Sequence, residues 1–166
     1  VRFVNGVARN SMKPVEFRCA KAEDAARLTV IAFAGKAYWG YPAEWLDLWR
    51  HDLVVTPHYI RTEPVSVAEC DGMIVGFTGL STGDHGRQIE HLWLQPDSIG
   101  CGLGRRLFDE AVRLARSARV MELFINSDPN AEGFYLKMGA ERIGQEVYFL
   151  PGAIRREVPR LVYPLS

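Results

Sequence analysis

The stretch that decides the fold runs from Gln88 to Arg116 and reads QIEHLWLQPDSIGCGLGRRLFDEAVRLAR. An apolar strand ends at Gln95-Pro96, glycines at 100, 102 and 104 form a loop, and a helix follows from Leu103. The first N–H groups of a helix have no intrahelical partner, and they lie at the positive end of the helix dipole. The strand, loop and helix therefore predict an anion site built from backbone, with phosphate as the expected ligand.

Outward from this unit, the sequence predicts a mixed sheet. Asp71-Gly72 separates two strand-like segments as a hairpin turn does, and a glycine-containing loop at 82–86 leads into the strand at 88–94. These three strands form an antiparallel meander, whereas the apolar strand Val120 to Ile125 follows a helix and is predicted to be parallel. The remaining predicted elements are a strand at 15–18, helices at 22–34 and 42–53, a helix with Asp128 as N-cap and Pro129 as first residue that ends at Gly139, and strands at 141–149 and 158–163.

Composition limits the class of protein. The 166 residues fit one domain, which we place at 12–166, with 1–11 as an N-terminal extension that is disordered or left from cloning. Basic and acidic residues number 20 each, so no net field attracts nucleic acid or an acidic membrane surface. No apolar run approaches the roughly 20 residues of a membrane span. Cys19, Cys70 and Cys101 have neither disulfide nor zinc-site spacing, which favours a reducing cytoplasm and no metal.

Two common phosphate-binding loops fit poorly. A nucleotide-hydrolysing P-loop needs Lys and then Ser or Thr after its last glycine, but Arg105-Arg106 follows Gly104. A dinucleotide-binding loop needs a further glycine where Leu107 stands, although Glu122 lies near the spacing of that fold's acidic residue. A simple flexible turn is the remaining alternative for an isolated set of three glycines.

A second segment, Asp128 to Ala140 (DPNAEGFYLKMGA), lies one helix after the second strand. Together with Gln95-Pro96 and the glycine loop, it closely resembles the GNAT superfamily of acyl-CoA-dependent N-acyltransferases, and the element order agrees from Val15 to Tyr163. The resemblance implies an α/β (α+β) fold with a mixed, mostly antiparallel central sheet of about six to seven strands and about four flanking helices. It also implies that two strands splay apart to form the coenzyme cleft.

The resemblance identifies acetyl-CoA as the cofactor. The family's loop pattern places Arg or Gln where Ile99 stands here, so the phosphates are expected to rest on backbone amides and on Arg105 or Arg106. The pantetheine arm is expected to pair with the strand backbone like an added strand. Family members often carry Asn where Asp128 stands, which leaves Asp128 as a helix cap or a contact. The expected coenzyme contacts are Leu92, Trp93, Leu94, Ile99, Gly100, Cys101, Gly102, Leu103, Gly104, Arg105, Asp128, Asn130, Phe134 and Tyr135.

Acetyl transfer to an amine needs a neutral amine, stabilisation of an oxyanion and a proton for the departing thiolate. Tyr135 matches the family tyrosine near the coenzyme sulfur, with a buried core tyrosine as its alternative role. Glu90 is the candidate general base, acting directly or through water, and a solvated strand face is its alternative. His91 is the reserve base, and strand alternation turns it away from Glu90 unless a bulge intervenes. A backbone N–H near Leu94 is expected to stabilise the oxyanion.

The acceptor region is expected in an aromatic segment. Tyr38, Trp39 and Tyr41 are predicted ligand contacts, whereas Trp45 and Trp49 share a helix face and are predicted core. The sequence thus predicts an acetyl-CoA-dependent N-acetyltransferase acting on a small-molecule amine in a ternary complex. The alternatives are a non-catalytic acyl-CoA-binding or sensing domain and, more weakly, a nucleotide-binding oxidoreductase. Aromatic surface near Trp39 and the C-terminal strand are candidates for a homodimer contact.

Overall fold

A seven-stranded sheet organises residues 14–165, the part of the chain that the computed structural model describes. The strand order is β1-β2-β3-β4-β5-β7-β6, and all neighbours are antiparallel except β4 and β5. This confirms the mixed, mostly antiparallel sheet and the parallel unit around the glycine loop. The strands are β1 (Val15–Cys19), β2 (Val65–Cys70), β3 (Met73–Gly83), β4 (Gly86–Leu94), β5 (Glu122–Asn126), β6 (Glu141–Leu150) and β7 (Ile154–Pro164).

Helices cover both faces of the sheet. One face packs against the first four helices, and its core includes Leu28, Trp49 and Phe77. The other face packs against the last two helices around Phe108 and Leu161. The helices of the described residues are α1 (Ala25–Ala37), α2 (Ala43–Leu48), α3 (Arg50–Leu53), α4 (Pro57–Thr62), α5 (Leu103–Ser117) and α6 (Glu132–Lys137). None of them is long and apolar enough to cross a membrane.

The parallel strands β4 and β5 pair along only part of their length. Gln88 lies opposite Phe124 and Ile89 opposite Ile125, and the register continues no further although β4 extends to Leu94. The two strands therefore separate toward the C-terminal end of β4, as the family resemblance implied. Ligands of open α/β sheets bind outside such carboxyl ends, and this splay positions the site.

The structure differs from the predicted elements in its short helices. The predicted helix at 42–53 is two helices, because Trp49 leaves the helical region at φ −86° and ψ 5°. Helix α4 was not predicted, although its signals are present: the Thr56 side chain accepts from the Tyr59 N–H, and Pro57 is the first helical residue. Strand β7 begins at Ile154, four residues before the predicted start. The prediction for 1–11 lies outside the described residues.

Candidate active site

A cavity of about 450 Å³ fills the gap between β4 and β5. All predicted coenzyme contacts line it except Cys101 and Leu103. The Cys101 thiol instead donates to the Ser98 carbonyl, and the Leu103 side chain is buried against Ala68. At these two positions only the backbone remains as a candidate for coenzyme contact.

Backbone groups of β4 face this cavity. The Gln95 N–H donates to the Val75 carbonyl of β3 at 2.8 Å, and hydrogen-bonding direction alternates along an antiparallel strand. Trp93 therefore directs its N–H and C=O toward β3, whereas Leu92 and Leu94 direct theirs away from it. Since β5 has already separated, these groups face the cleft and are available to an added strand.

The glycine loop leaves a row of amides without partners. Gly100 and Gly102 both adopt φ 84°, a left-handed conformation that favours glycine. Within residues 14–165, the N–H groups from Gly100 to Arg105 form no backbone hydrogen bonds. These amides lie at the N-terminus of the 15-residue helix α5, so its dipole adds to their attraction for an anion.

Of the two arginines after the loop, one lines the cavity. The Arg106 guanidinium donates to the Val15 carbonyl at 2.8 Å and lies over the Phe17 ring, so it is engaged with β1. Arg105 is exposed, lines the cavity and has no ion-pair partner in the described part of the chain. The apolar Ile99 side chain also lines it, 40% exposed. The loop therefore offers amides and one cation.

Tyr135 lies on α6 with its ring among Phe108 and Phe134. It is 7% exposed and lines the cavity, and its hydroxyl forms no hydrogen bond with residues 14–165. Burial raises its pKa above the ordinary value, with the charge of Asp128 adding to the effect. The hydroxyl therefore stays protonated at neutral pH and is free to donate.

A β-bulge at Glu90 decides the orientation of two candidate bases. Gly79 lies opposite His91 and Leu80 opposite Ile89, so Glu90 is the extra residue of β4. The Ser81 hydroxyl donates to Glu90 Oε2 at 2.6 Å and the Gln88 amide at 2.9 Å. The bulge interrupts the alternation that separated Glu90 from His91 in the sequence prediction. Glu90 is exposed and lines the cavity, with Oε1 without a hydrogen bond to the described residues.

His91 is buried on the helix α1–α4 side of the sheet. Its ring contacts Tyr59 and Phe77, and it is 5% exposed. Its Nδ1 accepts from the Trp93 indole N–H at 3.2 Å, which occupies the lone pair a base would use. Burial lowers the pKa of His91 to about 4, with the Glu90 charge opposing only part of the effect. His91 does not line the cavity, and its geometry suits support of Trp93 better than proton transfer.

The aromatic segment is divided between the cavity and the core. Trp39 lines the cavity, whereas Tyr38 is 52% exposed and does not. Tyr41 packs against Trp45 and Trp49, and all three rings lie within 5.3 Å of the Arg156 guanidinium. Of the three predicted ligand contacts, Tyr41 is therefore occupied by the protein's own arginine, together with Trp45 and Trp49, which were predicted as core. Tyr41 does not line the cavity and is not positioned as a direct acceptor contact.

Asp128 is more than a helix cap. Its carboxylate accepts from the Asn130 N–H and so caps the 3-10 turn Pro129–Ala131, which precedes α6, rather than one continuous helix as predicted. It also accepts from Lys36 at 2.6 Å and from the Tyr41 hydroxyl at 2.9 Å. Burial alone would raise the pKa of Asp128, but the Lys36 ammonium and the hydrogen bonds outweigh it and lower that pKa. Burial also lowers the pKa of Lys36, against the opposing charge of Asp128. Asp128 thus lines the cavity with its oxygens already occupied.

Some residues of the site were not found by sequence reasoning. Asn126 is the last residue of β5 and Ser127 follows it directly before Asp128, so the end of a parallel strand was the available signal. Gly35 lies within α1, where an added Cβ would meet the Trp93 ring at 2.8 Å. A glycine inside a helical pattern indicates such a close approach. The other missed lining residues are Ile89 and Ala131.

Comparison with known proteins agrees with this arrangement. Residues 55–150 match the family model described as acetyltransferase (GNAT) domain. A putative [ribosomal protein bS18]-alanine N-acetyltransferase of Bacillus subtilis is 31% identical over 115 residues, a match that covers 66% of each protein.

Two solved structures share the fold. A GCN5-related N-acetyltransferase from Rhodopseudomonas palustris superposes with a TM-score of 0.78 at 23% identity, covering 92% of this chain and 97% of that one. PaiA N-acetyltransferase from Thermoplasma acidophilum, in complex with coenzyme A, has a TM-score of 0.69 at 19% identity and covers 91% and 99%. The family match spans more than half of the sequence, and the chain belongs to the GNAT acetyltransferase family.

Proposed function

We propose that this protein transfers the acetyl group of acetyl-CoA to the nitrogen of a small primary amine. The observation that supports it best is the cleft between β4 and β5. It joins amides at the N-terminus of α5 to the hydroxyl of Tyr135, and neither has a hydrogen-bond partner among residues 14–165. The first group suits the coenzyme phosphates and the second suits a thiolate. The PaiA structure, which shares this fold, contains coenzyme A, and this supports coenzyme A as the ligand of the cleft here.

The coenzyme contacts follow from the backbone. The amides from Gly100 to Arg105 would hold the phosphates, and the Arg105 guanidinium would add a flexible positive charge. The backbone of Leu92 and the carbonyl of Leu94 would pair with the pantetheine amides, as an extended peptide pairs with an open strand, which leaves the Leu94 N–H for the acyl oxygen. When bound, acetyl-CoA supplies an acyl group activated as a thioester. The protein's own part is to hold that group where its carbonyl meets a backbone N–H of β4.

The proposed acid–base roles belong to two side chains that line the cleft, Glu90 and Tyr135. Glu90 would accept, directly or through water, the proton that the amine nitrogen loses as its C–N bond forms. Hydrogen bonds from Ser81 and Gln88 hold one carboxylate oxygen and leave the other for the amine. Tyr135 would donate a hydrogen bond or its proton to the sulfur as the C–S bond breaks. The N–H of Leu94 would stabilise the negative charge on the acyl oxygen.

A thiol-release assay with acetyl-CoA over a panel of primary amines tests this proposal. The panel includes a peptide that begins with alanine, because the Bacillus subtilis relative is named for such an acceptor. Amine-dependent thiol release supports the proposed function, and release with small amines supports the proposed acceptor class. Coenzyme binding without release on any amine contradicts it and indicates an acyl-CoA-binding protein. Release with the peptide alone contradicts the small-amine assignment.

A further inference from the structure

Two contacts on the α1 side of the sheet hold the indole of Trp93 in place. Its N–H donates to Nδ1 of the buried His91 at 3.2 Å. The ring also lies against Gly35 of α1, where an added Cβ would meet ring atom Cε3 at 2.8 Å, closer than real Cβ atoms approach another atom. Trp93 is half-buried against the core on this side, and it also lines the cavity.

Neither of the two residues that hold this ring is the most stable choice for packing alone. Alanine is the better helix former at position 35, but its methyl group would displace the indole. Burial lowers the pKa of His91 to about 4, so this residue destabilises the fold in acid, which an apolar residue there would not do. Both residues act on one ring that lines a cavity. Local stability given up at neighbouring positions indicates a functional site, which here is the indole of Trp93.

The Glu90 carboxylate lies on the same side of the sheet as this indole. Gly79 of β3 faces α4 on that side, since an added Cβ would meet the Tyr59 hydroxyl at 2.5 Å. Side chains alternate along β3, so Ser81 faces the same side, and its hydroxyl donates to Glu90 Oε2. Glu90 and Trp93 are three residues apart on β4, roughly 10 Å along the strand. Both line the cavity, so an amine at Glu90 can carry a body that reaches the indole.

The cavity leaves space for a flat group beside this ring. Trp39, four residues beyond Gly35, lines the same cavity. Among the described residues, the Trp39 ring contacts Tyr38 and not Trp93, so the two indoles are separated. Indole faces attract aromatic rings by stacking and cations by the cation–π interaction, and the carboxylate of Glu90 attracts an ammonium group. A primary amine joined by a short chain to an aromatic ring matches both groups.

We propose that the indole of Trp93 is the binding surface for the body of the acceptor, and that this acceptor is an arylalkylamine. Its aromatic ring stacks on the indole face, and its amine reaches the free carboxylate oxygen of Glu90. Gly35 and His91 are positioning residues, because they act through the orientation of the Trp93 ring. This inference rests on the proposed acetyl transfer and adds the chemical class of its acceptor.

The test compares two primary amines of the same length. 2-Phenylethylamine carries a flat aromatic ring, whereas 2-cyclohexylethylamine carries a saturated ring on the same linker. We expect kcat/KM of the wild-type protein to favour 2-phenylethylamine by about tenfold, which corresponds to about 1.4 kcal/mol, the scale of aromatic stacking. Trp93→Leu should remove most of this preference, mainly by raising KM for 2-phenylethylamine. Any change in coenzyme binding cancels, because the ratio compares two acceptors with the same coenzyme.

A second variant, Gly35→Ala, moves the indole without removing it. The added methyl group displaces the Trp93 ring, so the preference for the aromatic amine should fall at least about threefold. Gly133→Ala is the matched control, because Gly133 also lies in a helix, does not line the cavity, and an added Cβ there would meet nothing within 4 Å. It should leave the preference unchanged, whereas an unchanged preference in Gly35→Ala contradicts the positioning role of Gly35.

Circular dichroism and thermal unfolding verify that each variant is folded, and Gly35→Ala carries the test where Trp93→Leu is not. Equal use of both amines by the wild-type protein contradicts the aromatic acceptor and keeps the proposed function, as does an unchanged preference in folded Trp93→Leu. Thiol release with other amines of the wider panel, but with neither of these two, also contradicts this inference alone. Release with no amine at all contradicts the proposed function itself.

Discussion

The two ends of the cleft are built in opposite ways. At the α5 end, backbone amides, two glycines at φ 84° and an exposed arginine lack partners within residues 14–165. At what we call the hairpin end, Asp128 lines the cavity and forms a half-buried network with Lys36, Tyr41 and Arg156. The α5 end therefore offers free backbone groups to a ligand, whereas at the hairpin end the charged groups bind one another and stabilise the structure.

The largest expected effect concerns the ion pair of Lys36 and Asp128 at the hairpin end. Asp128→Ala leaves the buried Lys36 ammonium without its counter-ion and should lower the free energy of unfolding by about 3–5 kcal/mol. The two side chains are 12% and 9% exposed, so water compensates little. Urea denaturation measures the change. Asp47→Ala is the control, because it removes an exposed partner of Arg50 and should cost less than about 1 kcal/mol. Equal losses of unfolding free energy in the two variants would show that the pair of Lys36 and Asp128 does not stabilise the fold more than an exposed ion pair does.

The second effect concerns a buried group beneath the cleft. Burial lowers the pKa of His91 from 6.5 to about 4, so the unfolded chain binds a proton that the folded protein does not. This difference does not affect the free energy of unfolding above about pH 6.5. It lowers that free energy progressively as the pH falls from 6.5 to 4, by on the order of 3 kcal/mol in all. His91→Gln should flatten this part of the pH dependence, measured by urea denaturation at intervals from pH 7 to pH 4. Substitution of the exposed His51 should leave the curve unchanged, and a His91→Gln curve that matches the wild type contradicts the assignment.

The third effect concerns the chemistry proposed for Tyr135 in the cleft. Tyr135→Phe removes the hydroxyl proposed to serve the sulfur and should lower kcat at least about tenfold, roughly 1.4 kcal/mol of barrier. Coenzyme A affinity should hardly change, because the ring remains in place. Tyr163→Phe is a matched control, since its ring also contacts Phe108, at 5.2 Å, but it does not line the cavity. Unchanged turnover in Tyr135→Phe would assign Tyr135 to the core alone.

The smallest effect separates two adjacent arginines. Arg105→Gln should weaken coenzyme A binding about fivefold at low salt and less at high salt, as expected for an exposed charge. Arg106→Gln should have no such effect, because Arg106 is bound to the Val15 carbonyl and the Phe17 ring. Calorimetric titration at two salt concentrations distinguishes them. Equal weakening by both substitutions would contradict the difference between the two side chains.

The sequence predicted the α5 end well because its features are local. Glycines at left-handed positions, a strand before them and a helix after them all lie within one short segment. Strand pairing followed from Asp71-Gly72 and from the apolar strand after α5 for the same reason.

The hairpin end was not predictable in this way. Tyr41 meets Arg156, Lys36 meets Asp128 and Trp49 meets Tyr148 only through the fold, since about a hundred residues separate each pair. An aromatic cluster in a sequence does not reveal whether a ligand or the chain's own cation fills it. The bulge at Glu90 was equally hidden, because no glycine or proline stands at that position.

The most direct test of the central claim is a calorimetric titration of the wild-type protein with coenzyme A and, separately, with NADPH. A cleft built from the free amides of α5 and the open backbone of β4 should bind one coenzyme A per chain in a saturable manner. It should release no saturable heat with NADPH, because the hairpins before the glycine loop do not form a dinucleotide site. Saturable binding of NADPH, or none of coenzyme A, would contradict the account.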